Sequence, residues 1–118
     1  MSGFHFQLLT IYSTHLLYKF VNMKDLSSIL YTLSEIKQEL QQSFHVKTIG
    51  VFGSAVRDDF RPDSDIDLIV EFEKPIGIAF IDLADFIEQK MNSKIDLVSR
   101  RGIKPQYLKA IEEEIVYV

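Results

Sequence analysis

The stretch Asp65-Ile66-Asp67-Leu68-Ile69-Val70-Glu71-Phe72 alternates in the manner of a β-strand, and no other segment constrains the fold as tightly. Successive side chains of a strand point to opposite faces. Ile66, Leu68, Val70 and Phe72 therefore share one face, and Asp65, Asp67 and Glu71 share the other. The chain must build a sheet with an apolar face to bury and a second face carrying two neighbouring carboxylates. Two carboxylates so close each raise the cost of ionising the other. A bound divalent cation removes that conflict. Oxygen ligands of this kind suit magnesium, with manganese as the alternative.

The flanking segments supply the rest of the sheet and its cover. Leu26, Ile29, Leu30, Leu33, Ile36 and Leu40 recur at helical spacing and predict an amphipathic helix over 24–43. Residues 47–52 (KTIGVF) read as a strand ended by Gly53, and 54–59 as a short helix beginning at that turn. Arg61, Pro62, Asp63 and Ser64 make a loop. Phe80, Leu83, Ala84, Ile87 and Met91 mark a second amphipathic helix after the break at Pro75-Ile76-Gly77. In the strand over 94–98, Ile95 and Leu97 share a face and Asp96 takes the opposite one. Pro105 fits the first turn of a last helix through about 114, followed by an edge strand over 115–118. The expected fold class is α/β (α+β): one short mixed sheet backed by helices, with the carboxylates on its open face.

Composition bounds the function classes. A chain of 118 residues with 47% hydrophobic residues has one compact domain and a real core. A net charge of −4 argues against a general basic surface for nucleic acid, so no direct nucleic-acid binding is expected. No cysteine is present, which excludes disulfides and thiolate metal sites and agrees with a cytoplasmic location. His5, His15 and His45 are scattered, without the spacing of zinc ligands. Residues 1–22 contain no acid and one base, Lys19. Polar breaks at Gln7, Thr10, Ser13, Thr14 and His15 deny them both a signal sequence and a membrane span. Two readings of that segment stand, a helix that packs on a partner or an upstream extension. The extension is adopted, with the domain proper over 23–118.

The turn before the acidic strand adds a second chemistry. Ten residues separate Ser54 from Asp65, enough to leave one strand, make a helical turn and return on a neighbour. Gly53 lets the backbone approach a ligand closely. N–H groups at the start of the following helix would face a phosphate, with the Ser54 hydroxyl and, one turn on, Arg57 reaching the same anion. Simpler readings compete with these. Asp65 and Asp67 could be the solvated face of an edge strand, Asp96 a surface residue, and Arg57 the ion-pair partner of Asp58 or Asp59. Asp63-x-Asp65-x-Asp67 matches the first ligands of an EF-hand, but Leu68 stands at its glycine position and Lys74 at its glutamate. No Gly-Lys-Ser/Thr follows Gly53 at the spacing of a P-loop. Arg61, Asp63 and Ser64 are turn formers first, with Ser64 bracing the site as the alternative. The basic cluster Arg100, Arg101 and Lys104 is a solvated loop by default, with contact to a nucleotide or partner as the sharper reading. Glu112 to Glu114 form an exposed helix end.

Hydrophobic-Gly53-Ser54, then Asp65-Ile66-Asp67-Leu68, then a strand carrying Asp96, resembles the signature of the DNA polymerase beta-like nucleotidyltransferase superfamily. Gly53 through Arg57 and Pro62 through Leu68 look specifically like the minimal nucleotidyltransferases, the MNT antitoxins paired with HEPN-domain toxins. The resemblance runs over about 23–118 and leaves 1–22 unaccounted for. It implies that Asp65 and Asp67 hold two magnesium ions. Asp96 would complete one metal site and help deprotonate the attacking hydroxyl. Gly53 and Ser54, assisted by Arg57, would cradle the β- and γ-phosphates of a nucleoside triphosphate, with Ser64 beside them. The implied reaction is transfer of AMP from ATP to a hydroxyl of a HEPN-family RNase toxin, which silences it. Larger relatives carry an added domain for the acceptor, so a partner would supply that surface here. The alternatives are a non-catalytic antitoxin that occludes its partner, and a small-molecule adenylyltransferase of the antibiotic-modifying kind. A homo-oligomer is left open.

Overall fold

A computed structural model describes residues 25–57, 59, 61 and 63–118. The expectations for 1–22, and for Asp58, Phe60 and Pro62, lie outside the described residues.

Helix α1 (Leu26–Phe44) starts where Asp25 caps it. The Asp25 carboxylate accepts the Ser28 N–H at 2.8 Å, satisfying one of the amides a helix start leaves without a partner. The Ser28 hydroxyl, and after it the Ser28 N–H, holds the Asp25 carboxyl below its usual range. The helix ends at His45, whose φ of 57° is left-handed and stops propagation. Strand β1 (Val46–Phe52) follows, then a single helical turn, α2 (Ser54–Arg57), then β2 (Ile66–Phe72). Helix α3 (Ala79–Met91) crosses to β3 (Ile95–Ser99). Helix α4 (Pro105–Ile111) continues as one 3₁₀ turn (Glu112–Glu114) into β4 (Val116–Tyr117). Every expected element is present. The last helix differs in stopping as an α-helix at Ile111.

The sheet is mixed, in the order β3-β2-β1-β4. β1 pairs antiparallel with β2 and β4, while β2 and β3 are parallel and are joined through α3. Ile29, Leu33 and Leu40 of α1 and Leu83 and Ile87 of α3 bury one face against Ile49, Val51, Leu68 and Val70. Leu33, Leu40, Ile49, Val51, Leu68, Val70, Leu83 and Ile87 are fully inaccessible, and this layer supplies most of the hydrophobic stabilisation.

The opposite face is not wholly open. Phe52, Ile69 and Ile111 form a second, smaller core, closed by Val98, Ile103, Leu108 and Ile115. Ile69, which shares a face with Asp67 and Glu71, is therefore as buried as the residues of the first face. α4 and the 3₁₀ turn cover the middle of this face and leave one end to the carboxylates. Among the described residues, no helix is long and apolar enough to cross a membrane.

Candidate functional site

Strand directions decide what meets at the uncovered end. β1 runs antiparallel to β2, so its last residue, Phe52, pairs with Asp67 near the start of β2. β3 runs parallel to β2, so Asp96 pairs with the same Asp67. The end of β1, the start of β2 and the start of β3 thus lie side by side, with neighbouring strands about 4.8 Å apart. Asp67 and Asp96 stand on the face of Ile69 and Val98, because residues two apart on a strand share a face. Asp65 lies just before β2 and is exposed, as is Asp96, while Asp67 is partly buried.

Gly53 closes β1 at a φ of 77°, in the left-handed region where a side chain is strained. A Cβ there would sit 2.1 Å from Oδ2 of Asp67 and 2.9 Å from its Cγ. The glycine therefore does two things. It lets the chain turn from strand to helix, and it leaves the space that the Asp67 carboxylate occupies. The Gly53 carbonyl accepts the N–H groups of Val56 at 3.0 Å and Arg57 at 3.1 Å, which closes the α2 turn. The first amides of that turn, those of Ser54 and Ala55, have no acceptor within the helix.

Charge accumulates around Asp67. Burial pushes its carboxyl above the usual range, and the nearby Asp96, Asp65 and Glu114 push it further, with Arg57 opposing. Asp65, Asp67 and Asp96 offer carboxylate oxygens alone and bring an excess of negative charge to this end. That chemistry fits a hard divalent cation of the magnesium type, which takes a few carboxylates together with substrate phosphate oxygens. Among the described residues, no group of three His, Cys, Asp or Glu side chains is placed to hold a metal ion by itself.

Glu114 is the residue that sequence reasoning missed. The run Glu112 to Glu114 is not a uniform exposed helix end, because the 3₁₀ geometry sends its members in different directions. Glu112 pairs with Arg100 at 2.9 Å. The Glu114 side chain is only 22% exposed and turns into the site. Its Oε1 accepts the Gly53 N–H at 2.9 Å and Nη1 of Arg57 at 3.2 Å. The contacts span 61 and 57 residues of chain, so no local spacing or periodicity signals them. Arg57 does not take Asp59 as its main partner, since the Nε to Oδ2 separation is 3.9 Å.

Ser64 directly precedes Asp65, whereas Arg100 lies far from the carboxylates. The Ser64 hydroxyl accepts the Arg61 N–H at 3.2 Å and so braces its own turn. Arg100 follows β3 at the end away from Asp96, about 13 Å along the strand. There it donates to Glu112 and to the Tyr117 hydroxyl, at 2.7 Å for the latter. A hollow of about 650 Å³ opens at that far end, lined by Glu71, Lys74, Phe80, Ser99 and Arg100 among others. It contains none of the three aspartates.

Comparison with known proteins bears on the family and the fold. Residues 33–118 match the model of the nucleotidyltransferase domain. The protein adenylyltransferase MntA of Thermococcus cleftensis is 39% identical over 97 residues, which is 81% of this chain and 98% of that protein. A solved structure assigned as a minimal nucleotidyltransferase superposes with a TM-score of 0.66 at 29% identity, over 80% of this chain and 96% of that one. A chain from the Shewanella oneidensis complex of a tri-AMPylated HEPN toxin with an MNT antitoxin shares the fold. Its TM-score is 0.57 at 21% identity, over 75% of this chain and 70% of that one.

Proposed function

The chain belongs to the nucleotidyltransferase domain family, and from that premise we propose that it moves AMP from ATP onto a hydroxyl of a HEPN-family RNase toxin and so serves as its antitoxin. The observation that carries this reading is the meeting of Gly53, Asp67 and Asp96 at one sheet end, where a glycine without a Cβ makes room for the Asp67 carboxylate. The names of the similar proteins, one a protein adenylyltransferase and one complexed with an AMPylated HEPN toxin, support the base and the acceptor class.

In this reading Asp65 and Asp67 would hold two magnesium ions, with Asp96 contributing to one of the two sites. Bound magnesium lowers the pKa of an acceptor hydroxyl and neutralises charge on the departing pyrophosphate. The chain's own residues do the positioning. The α2 turn, through Ser54 and the amides at its start, holds the β- and γ-phosphates, and Arg57 adds a cation to the same end. Asp96 takes the proton from the acceptor hydroxyl. The hydroxyl oxygen then forms a bond to the α-phosphorus, the bond from that phosphorus to the bridging oxygen of the β-phosphate breaks, and pyrophosphate leaves. Alignment and charge neutralisation supply most of the rate gain.

The test is incubation with labelled ATP, GTP, CTP and UTP plus Mg²⁺, with and without a co-expressed HEPN-domain partner, for wild type and Asp65→Asn/Asp67→Asn. Label from ATP on the partner, absent with the double variant, is the expected result. No label from any triphosphate, with the partner still inhibited by the double variant, would replace this reading with a binding antitoxin.

A further inference from the structure

The fold spends its C-terminal segment on one contact that the reaction as described does not use. Ile111 is buried in the second core, Ile115 packs against that core, and Val116 and Tyr117 pair with Val51 and Gly50 of β1. The segment runs so close to β1 that a Cβ on Gly50 would lie 2.6 Å from Cγ2 of Ile115. Between these anchors stands Glu114. Its carboxylate is thereby presented to the turn after β1, where it takes the Gly53 N–H at 2.9 Å and Nη1 of Arg57 at 3.2 and 3.4 Å.

We infer that Glu114 is a positioning residue for the nucleotide: it fixes the phosphate-binding turn at Gly53 and aims Arg57 at the triphosphate. This rests on the nucleotidyltransferase reading of the same site. A guanidinium carries five N–H donors in a rigid fork. Glu114 engages Nη1, Asp59 lies 3.9 Å from Nε, and among the described residues no acceptor takes Nη2. Arg57 can therefore stay bound to Glu114 and still donate to a phosphate oxygen. Half of its side chain is solvent-exposed, so without Glu114 the long chain would sample many rotamers and lose that aim on binding. The Gly53 N–H is already satisfied, which leaves the amides of Ser54 and Ala55 as the ones that meet phosphate. Gly53 then contributes its conformation, and Glu114 holds that conformation from across the sheet. The opposite possibility is that the carboxylate occupies the triphosphate's own place and must be expelled. It predicts tighter nucleotide binding when the charge is removed.

The variants Glu114→Gln and Glu114→Ala separate these. Glutamine keeps an acceptor for the Gly53 N–H and loses the charge that orients Arg57. We would measure equilibrium ATP binding with Mg²⁺, and the KM and kcat of AMP transfer, in wild-type and Arg57→Ala backgrounds. Glu114→Gln is expected to raise KM and Kd for ATP about three- to fivefold, the scale of a partly exposed ion pair, with kcat nearly unchanged. Glu114→Ala, which also frees the Gly53 amide, is expected to raise them about tenfold. In the Arg57→Ala background, Glu114→Gln should have no further effect, because its route runs through the arginine. Unchanged or tighter ATP binding by Glu114→Gln overturns the inference, and so does an equal loss in both backgrounds, which would mark a purely structural role. A wild-type chain that neither binds ATP nor transfers AMP would instead overturn the functional reading.

Discussion

Replacing Gly53 by alanine tests the site at the point where backbone and chemistry meet. Two separate effects can be worked from the structure. An L-residue held at a φ of 77° costs roughly 1–2 kcal/mol relative to glycine. In a domain of this size that lowers Tm by roughly 4–10 °C. The new Cβ would also lie 2.1 Å from Oδ2 of Asp67, whereas ordinary contact begins at 3.4 Å. The carboxylate oxygen must retreat by about 1.3 Å, a figure that follows from those two separations. Swinging the Asp67 carboxylate away relieves its Oδ2 and Cγ but not its Cβ, which would stay 3.1 Å from the new atom, so the backbone must also give slightly. The swing removes the carboxylate from its working position, and a misplacement of about 1 Å can cost on the order of 10²-fold in rate. The assay is a thermal melt paired with AMP transfer, the latter run well below the variant's Tm. Gly77→Ala is the control, because at a φ of 59° it carries the same backbone cost with nothing within 4 Å of its Cβ. Its loss should appear mainly in the melt. If Gly53→Ala melts with wild type and transfers AMP at the wild-type rate, the role assigned to this glycine is wrong.

Other outcomes follow from the same geometry. The Asp67 carboxyl is raised in the folded chain, so the native state binds more protons than the unfolded state between the ordinary carboxylate value and the raised one. Its ionisation therefore destabilises the fold as pH rises through that window. Asp67→Asn should melt above wild type at neutral pH without divalent metal while losing transfer, and the gap should close on acidification; a lower Tm at neutral pH would contradict this. Mg²⁺ should raise the Tm of wild type by mass action and leave that of Asp65→Asn/Asp67→Asn unmoved, as read by calorimetry with a chelator control. Leu33→Ala, at a fully buried position between α1 and the sheet, should cost about 2–5 kcal/mol in denaturant unfolding and leave the transfer rate intact while the chain is folded.

Much of the fold was legible because its signals are local. The helical spacing of Leu26 to Leu40 and the alternation of Ile66, Leu68, Val70 and Phe72 each follow from one element burying one face. The aspartates were legible for a related reason. Asp65 and Asp67 share a strand, and Asp96 opposes Ile95 and Leu97 on another, so alternation alone puts them on the side away from the main core. Strand pairing then brings Asp67 and Asp96 into register. What alternation could not supply was the second core on that side. Ile69 looks like a residue of a solvated face until Phe52 and Ile111 cover it. Glu114 was hidden more deeply. Three consecutive glutamates at a helix end look like a solvated terminus, and only the pairing of β4 with β1 carries one of them to Gly53 and Arg57. Arg100 shows the converse: it follows Asp96 closely in sequence, but a strand of five residues takes it to the other end of the sheet.

The most direct test of the central claim is the intact mass of a HEPN-domain partner after incubation with this chain, ATP and Mg²⁺. A mass gain of one or more AMP units is expected with wild type and none with Asp67→Asn. A partner whose mass stays unchanged with wild type, while its RNase activity is still blocked, would contradict transfer and leave inhibition by binding alone.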